Sequence, residues 1–166
     1  HEIGVRAPIY YTIGWSSADA EQHPEWVARD RNGRMCATDP RLRVEQGAFE
    51  GNAGDPRPLC SWKFLCPGGP YLDLILAQTR EICETFDVDG FFYDICFNPV
   101  CYCPSRREAM RAHGLDPENE ADAAAYHRIK WRRVQAETRR LVHERHPDAT
   151  LFYNGSAHME TPEWHE

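Results

Sequence analysis

Asp94 is the residue around which chemistry can be built. It ends the run Val88-Asp89-Gly90-Phe91-Phe92-Tyr93-Asp94 and is followed at once by Ile95-Cys96-Phe97-Asn98-Pro99. Val, Phe, Phe and Tyr in succession read as a strand buried on both faces, as in parallel sheets. A carboxylate directly after such a run sits at the strand's carboxyl end, where α/β barrels and open α/β sheets keep their reacting groups. Asp is also a common turn and cap residue, so spacing alone leaves a capping role open. Asp89 stands at the other end of the run, the end that barrels give to stability.

The elements that must position Asp94 follow from periodicity. A first strand is expected over 8–14, in Ala7-Pro8-Ile9-Tyr10-Tyr11-Thr12-Ile13-Gly14-Trp15, which is rich in β-branched and aromatic residues. The stretch from Ser16 to about Gly69 has little periodicity. It reads as a long loop over a cleft, with a short hairpin around Asn32-Gly33 and a second turn at 51–56. Pro70 then opens a helix over 71–86 whose apolar stripe is Leu72, Ile75, Leu76, Thr79, Ile82, Cys83 and Phe86. Beyond the central strand (88–94), a short helix over 105–113 stops at Gly114, and a long one covers 118–145. The long helix buries Ala124, His127, Trp131, Val134, Thr138, Leu141 and Val142, and a third strand runs over 149–154.

Strands separated by helical crossovers imply parallel pairing with right-handed connections. A closed (β/α)8 barrel needs eight such units and about 250 residues, against 166 here. The expected fold is therefore α/β, a partial (β/α)8 (TIM) barrel of roughly three parallel strands with crossover helices. The chain lacks an initiating Met and enters a strand almost immediately; it stops at Trp164-His165-Glu166 soon after another strand. Both ends read as cut, making residues 1–166 an interior fragment of one barrel domain.

Composition narrows the function classes. A net charge of −7 gives no footprint for nucleic acid, and no apolar run approaches the roughly 20 residues of a membrane span. Arg128, Lys130, Arg132, Arg133, Arg139 and Arg140 cluster, but interleaved with Glu137 and Glu144 they read as the solvated face of a helix. The seven cysteines are Cys36, Cys60, Cys66, Cys83, Cys96, Cys101 and Cys103. An odd number, with Cys83 and Cys96 in expected buried positions, argues for reduced thiols and a cytoplasmic setting.

Three segments taken together carry a resemblance. They are Ile9-Tyr10-Tyr11-Thr12-Ile13-Gly14-Trp15 with Glu21-Gln22-His23-Pro24-Glu25-Trp26; the central run with Cys101-Tyr102-Cys103-Pro104; and Phe152-Tyr153-Asn154-Gly155. This pattern resembles the bacterial hypothetical glycosyl hydrolase barrels related to α-L-fucosidases. The resemblance implies a glycosidase of the (β/α)8 class, with this chain supplying roughly the third to fifth strands. It also implies that Asp94, which matches the carboxylate ending the fourth strand of such barrels, is the catalytic nucleophile.

Glycoside cleavage normally uses a second carboxyl group as acid. Glu160, Glu163 and Glu166 all follow the third strand. Glu166 is preferred because Trp164 and His165 beside it can shape a sugar pocket. Sugar rings pair an apolar C–H face with hydroxyls, which Tyr and Trp match. Tyr11, Trp15, Trp26, Trp62 and Tyr93 are the candidate liners, with Asn154 and His23 as hydrogen-bonding partners for hydroxyls. On the first strand Tyr11, Ile13 and Trp15 face one way and Tyr10, Thr12 and Gly14 the other.

No metal ligand and no cofactor is expected. Cys101 and Cys103 lack a Cys-x-x-Cys partner pair to complete a four-ligand zinc site, with Cys96 the one helper considered. Similar sequences often carry a further cysteine where this chain has Arg106, which weakens that expectation again. The partner is thus a carbohydrate, with neither nucleic acid nor membrane, and oligomeric state is left open. Two alternatives stay open beside the retaining glycosidase. One is a non-catalytic carbohydrate-binding barrel, and the other a metal-dependent hydrolase on the same fold.

Overall fold

Gly90–Asp94 (β2) lies between two parallel partners, Ile9–Thr12 (β1) on one side and Thr150–Tyr153 (β3) on the other. The computed structural model describes residues 4–37 and 63–155. The register sets Tyr10 beside Phe92 and Thr12 beside Asp94, then Phe92 beside Phe152 and Tyr93 beside Tyr153. Hydrogen bonding runs on past the strand ends, from Ile13 N–H to Asp94 O and from Asn154 N–H to Tyr93 O.

Parallel strands require crossovers, and helices supply them. Ser17–Gln22 (α1), a 3-10 turn at Pro24–Trp26 and Pro70–Thr85 (α2) separate β1 from β2, while Pro104–Ala112 (α3) and Glu120–His143 (α4) separate β2 from β3. The fold is α/β with three parallel strands, in the expected order. Pro70 occupies the first turn of α2, where its missing N–H costs nothing. Asn119 caps α4, its side-chain oxygen accepting from the amides of Ala121 and Asp122.

The sheet has two unlike faces. Phe91, Tyr93, Leu151 and Tyr153 point toward α2 and α4 and join one core with Ile75, Val134 and Leu141. Tyr93 stacks on Phe91 at 5.0 Å and on Tyr153 at 5.2 Å. The buried phenols keep partners: Tyr153 OH donates to Gln135 O at 3.1 Å, and Tyr93 OH lies 3.4 Å from Thr79 Oγ1. Tyr10, Phe92 and Phe152 form the other face, and Tyr10 and Phe152 remain 61% and 40% exposed. Among the described residues, the elements that cover the sheet thus lie on one side of it.

Several expectations need correction. The segment after Trp15 is not all loop, because Ser16 caps the short α1 by accepting from the Asp19 amide. Six residues are too few to show a helical period. The expected hairpin is present: Arg29 bridges Met35 in antiparallel sense, and the Asp30 carboxylate accepts from the amides of Asn32 and Arg34. The turn expected at 51–56 lies outside the described residues. Phe86 falls just past the end of α2 and is 59% exposed, outside the apolar stripe. The buried face of α4 includes Ala123, Tyr126, Lys130 and Gln135, whereas Ala124 and His127 are only half-buried. Lys130, expected on a solvated face, is buried because its Nζ donates to Asn98 Oδ1 at 2.7 Å. A buried cation is tolerated only with such partners.

The segment after β2 passes very close to β1. A Cβ on Gly14 would overlap Ile95 O and lie 2.6 Å from Phe97 O, both fixed backbone atoms. Gly14→Ala should therefore cost about 2 kcal/mol or more. Gly33→Ala, at φ +82° with no atom within 4 Å, should cost only about 1 kcal/mol for its strained backbone. Urea unfolding of the two variants checks the ranking, and an equal loss would mean the approach at Gly14 relaxes freely.

Candidate active site

Asp94 closes β2 on the open face of the sheet, and its carboxylate is held from three directions. Tyr10 OH donates to Oδ2 at 2.5 Å, Asn154 Nδ2 donates to Oδ1 at 2.7 Å, and the Ile95 amide donates to Oδ1 at 2.8 Å. Tyr10 comes from β1, while Asn154 directly follows β3. One carboxylate therefore joins all three strands. Ile95 takes φ +53°, the only non-glycine positive φ among the described residues. A β-branched residue there is a genuine outlier, and such strain gathers at functional sites.

The electrostatics favour the charged form. Partial burial works against the charge, but hydrogen bonds from Tyr10, Asn154 and the Ile95 amide outweigh it and hold the Asp94 carboxyl below its usual range. The same contact holds the Tyr10 phenol above its ordinary value. Asp94 is thus a positioned, ionised carboxylate at neutral pH. It suits nucleophilic attack or stabilisation of a developing cation, and does not suit proton donation.

Asp94 and Asn154 are brought together as a pair. Tyr10 is the member that sequence reasoning passed over in favour of Tyr11. The signal was available, since alternation puts Tyr10 and Thr12 on one face and the register puts Thr12 beside Asp94. Tyr93 is not a liner; it is fully buried on the helix-facing side, packed against Phe91 and Tyr153. Adjacent residues of a strand point to opposite faces, so Tyr93 and Asp94 cannot share a wall. Tyr11 also points to the helices. Its hydroxyl donates to Gln78 at 2.5 Å, and burial pushes its pKa up.

Trp15 and Tyr11 line a separate cleft of about 390 Å³ with Ser16, Asp19, Tyr71 and Gln78. His23 and Trp26 stack on each other at 3.7 Å, and Trp26 leans on Tyr71 at 5.7 Å. None of the hydrogen bonds to Asp94 comes from these residues. Trp62 and Glu166 lie outside the described residues.

The Asp94 cradle predicts a titration. A carboxyl whose folded pKa is depressed adds stability above its unfolded value, about pH 4, and that stability is lost as pH falls through the folded value. Tyr10→Phe removes one donor, so the Asp94 pKa should rise toward its ordinary value and the stability advantage above pH 4 should shrink. Carboxyl-carbon NMR titration measures this, and an unchanged value would show that the Tyr10 hydroxyl does not hold the carboxylate.

No curated protein matches the chain. Among solved structures, α-L-fucosidase isoenzyme 2 from Paenibacillus thiaminolyticus is similar at 29% identity and a TM-score of 0.78. The match covers 99% of this chain and 23% of the fucosidase, so the chain spans under a quarter of that enzyme's length. Residues 1–95, which contain β1, α2 and the whole of β2 through Asp94, match the family described as hypothetical glycosyl hydrolase 6. The chain belongs to the hypothetical glycosyl hydrolase 6 family.

Proposed function

We propose that residues 1–166 form part of a (β/α)8-barrel glycoside hydrolase that cleaves O-glycosidic bonds of the α-L-fucoside type with retention. Asp94 is the nucleophile in this reading, and Glu166, following β3, is its acid/base partner. The observation that carries it is the ionised Asp94 carboxylate, fixed by Tyr10, Asn154 and the strained Ile95 at the carboxyl end of the central strand. The uncovered face of Tyr10, Phe92 and Phe152 supports the barrel, since further strands would turn that face inward.

The chemistry follows from this placement. The Asp94 carboxylate attacks the anomeric carbon while the acid delivers a proton to the leaving oxygen, giving a glycosyl ester and a free alcohol. The same partner then takes a proton from water, which attacks the anomeric carbon, breaks its bond to the Asp94 oxygen and returns Asp94 to its carboxylate. Retention requires the two carboxyl groups about 5 to 5.5 Å apart. Asn154, already bonded to Oδ1, keeps the attacking oxygen oriented, and the exposed Tyr10 ring offers an aromatic surface for the apolar face of a sugar ring.

Asp94→Asn in the intact enzyme tests the assignment. Turnover of an aryl α-L-fucoside should fall by on the order of 10³-fold or more, because the amide cannot attack the anomeric carbon. Azide should restore part of it by entering the space in front of the amide. Melting temperatures should differ little. Turnover close to wild type, with about 1 kcal/mol or less of stability lost, would reduce Asp94 to a capping residue. Sugar binding by wild type without any turnover would favour a carbohydrate-binding barrel instead.

A further inference from the structure

Behind the segment that follows β2 lies a second cluster, independent of the Asp94 reading. Cys66, Cys101 and Cys103 are all buried, and their sulfur atoms lie within 4.8 Å of one another. Sulfurs bound at about 2.3 Å to a single ion stand about 3.8 Å apart at the tetrahedral angle, so a small contraction brings these three onto one centre. In the sequence Cys101 and Cys103 have no second pair; the fold adds Cys66 from a segment 35 or more positions away.

Two of the sulfurs have hydrogen-bonding neighbours. Cys101 Sγ accepts from the amides of Arg29 at 3.3 Å and Cys103 at 3.4 Å. Cys103 caps α3, so its sulfur sits at the positive end of a helix, with Ser105 Oγ 3.4 Å away. Such amide and hydroxyl contacts are the outer partners that metal-bound sulfur takes.

The second observation is cationic. Arg106 is 1% exposed, and none of its three guanidinium nitrogens has a hydrogen-bond partner among the described residues. Its guanidinium lies over the Tyr126 ring at 4.4 Å. Lys130 is 4% exposed. Both side chains border the Cys66 thiol, since a Cβ on Gly68 would meet Lys130 Cδ, Cys66 Sγ and Arg106 Nη1 at 3.4, 3.5 and 3.6 Å, with the Lys130 ammonium turned to Asn98. Neither cation has a carboxylate partner among the described residues, and two such cations beside three neutral thiols would be costly. Three thiolates on a divalent ion leave one net negative charge, and on a monovalent ion two. Either is the anionic centre that Arg106 and Lys130 lack.

We propose that Cys66, Cys101 and Cys103 bind one thiophilic metal ion, zinc(II) or copper(I), as thiolates, with Arg106 and Lys130 as the buried countercharge. Both ions accept soft sulfur ligands. The site is structural. It ties the segment carrying Cys66 to the start of α3, behind the strand end that bears Asp94.

The test is elemental analysis of the full-length protein, purified under reducing conditions without chelator. About one zinc or copper per chain is expected, and which ion is found separates the two sources. Cys66→Ser and Cys103→Ser should each lower metal content at least tenfold, while Cys83→Ser, a buried cysteine in the other core, should leave it unchanged. If the first two variants do not fold, the wild type still decides. Cobalt(II) reconstitution should give thiolate-to-metal charge-transfer absorption, and a strong chelator should lower the melting temperature and expose three further thiols to Ellman's reagent. Folded protein that takes up neither zinc nor copper, metal retained in Cys66→Ser, or a disulfide between two of these cysteines would each overturn the proposal.

Discussion

Three donors on one carboxylate hold the strand ends together. Tyr10 from β1, the amide of Ile95 after β2, and Asn154 after β3 all converge on Asp94. In water each donor would be solvated for little gain, but at a half-buried strand end a charged acceptor strengthens every one of them. The backbone ladder beneath continues the same convergence through Ile13 and Asn154. The three strands could be parallel without it, yet their ends would not be locked in the register that aims Asp94 at the open face.

That arrangement depends on the alternation of β2. Its helix-facing residues, Phe91 and Tyr93, are buried against α2 and α4 and supply stability; Phe92 and Asp94 face the other way, onto the open face. The segment after the strand is pinned as firmly. Asn98 Oδ1 accepts from Lys130 Nζ and from Trp131 Nε1, and Asn98 Nδ2 donates to Leu65 O at 3.3 Å. A single buried amide thus joins the loop after β2 to α4 and to the segment before α2. Both polar atoms of the Asn98 amide are thereby satisfied, as a buried amide requires.

Much of this was legible in the sequence. The three strands, their parallel order and the helices beginning at Pro70 and Pro104 follow from period and punctuation, with ends shifted by one or two residues. Asp94 and Asn154 were readable as strand-end polar residues. Tyr93 was misread, and Tyr10 passed over, because aromatic type was weighed before alternation, and type alone says nothing of which face a side chain takes. Lys130 was misread because a charge among charges on a helix looks solvated. Its partner Asn98 is 32 positions away, and no local pattern encodes that distance. Cys66 escaped for the same reason: its neighbours Cys101 and Cys103 meet it only through the fold.

Ile95 joins the two halves of the molecule. Its amide donates to Asp94, its backbone sits at φ +53°, and its side chain packs into the cluster that contains Cys66, Cys101 and Cys103. A glycine or asparagine at this position would relax the backbone, by the ordinary logic of left-handed residues. It would also remove the branched side chain that anchors the turn, leaving one of the carboxylate's three donors free to wander. Thermostability and aim are therefore opposed at this one position. A laboratory selection for heat resistance alone would tend to drift toward the relaxed residue, and the first sign of that drift would be a carboxylate that no longer points the same way from one molecule to the next.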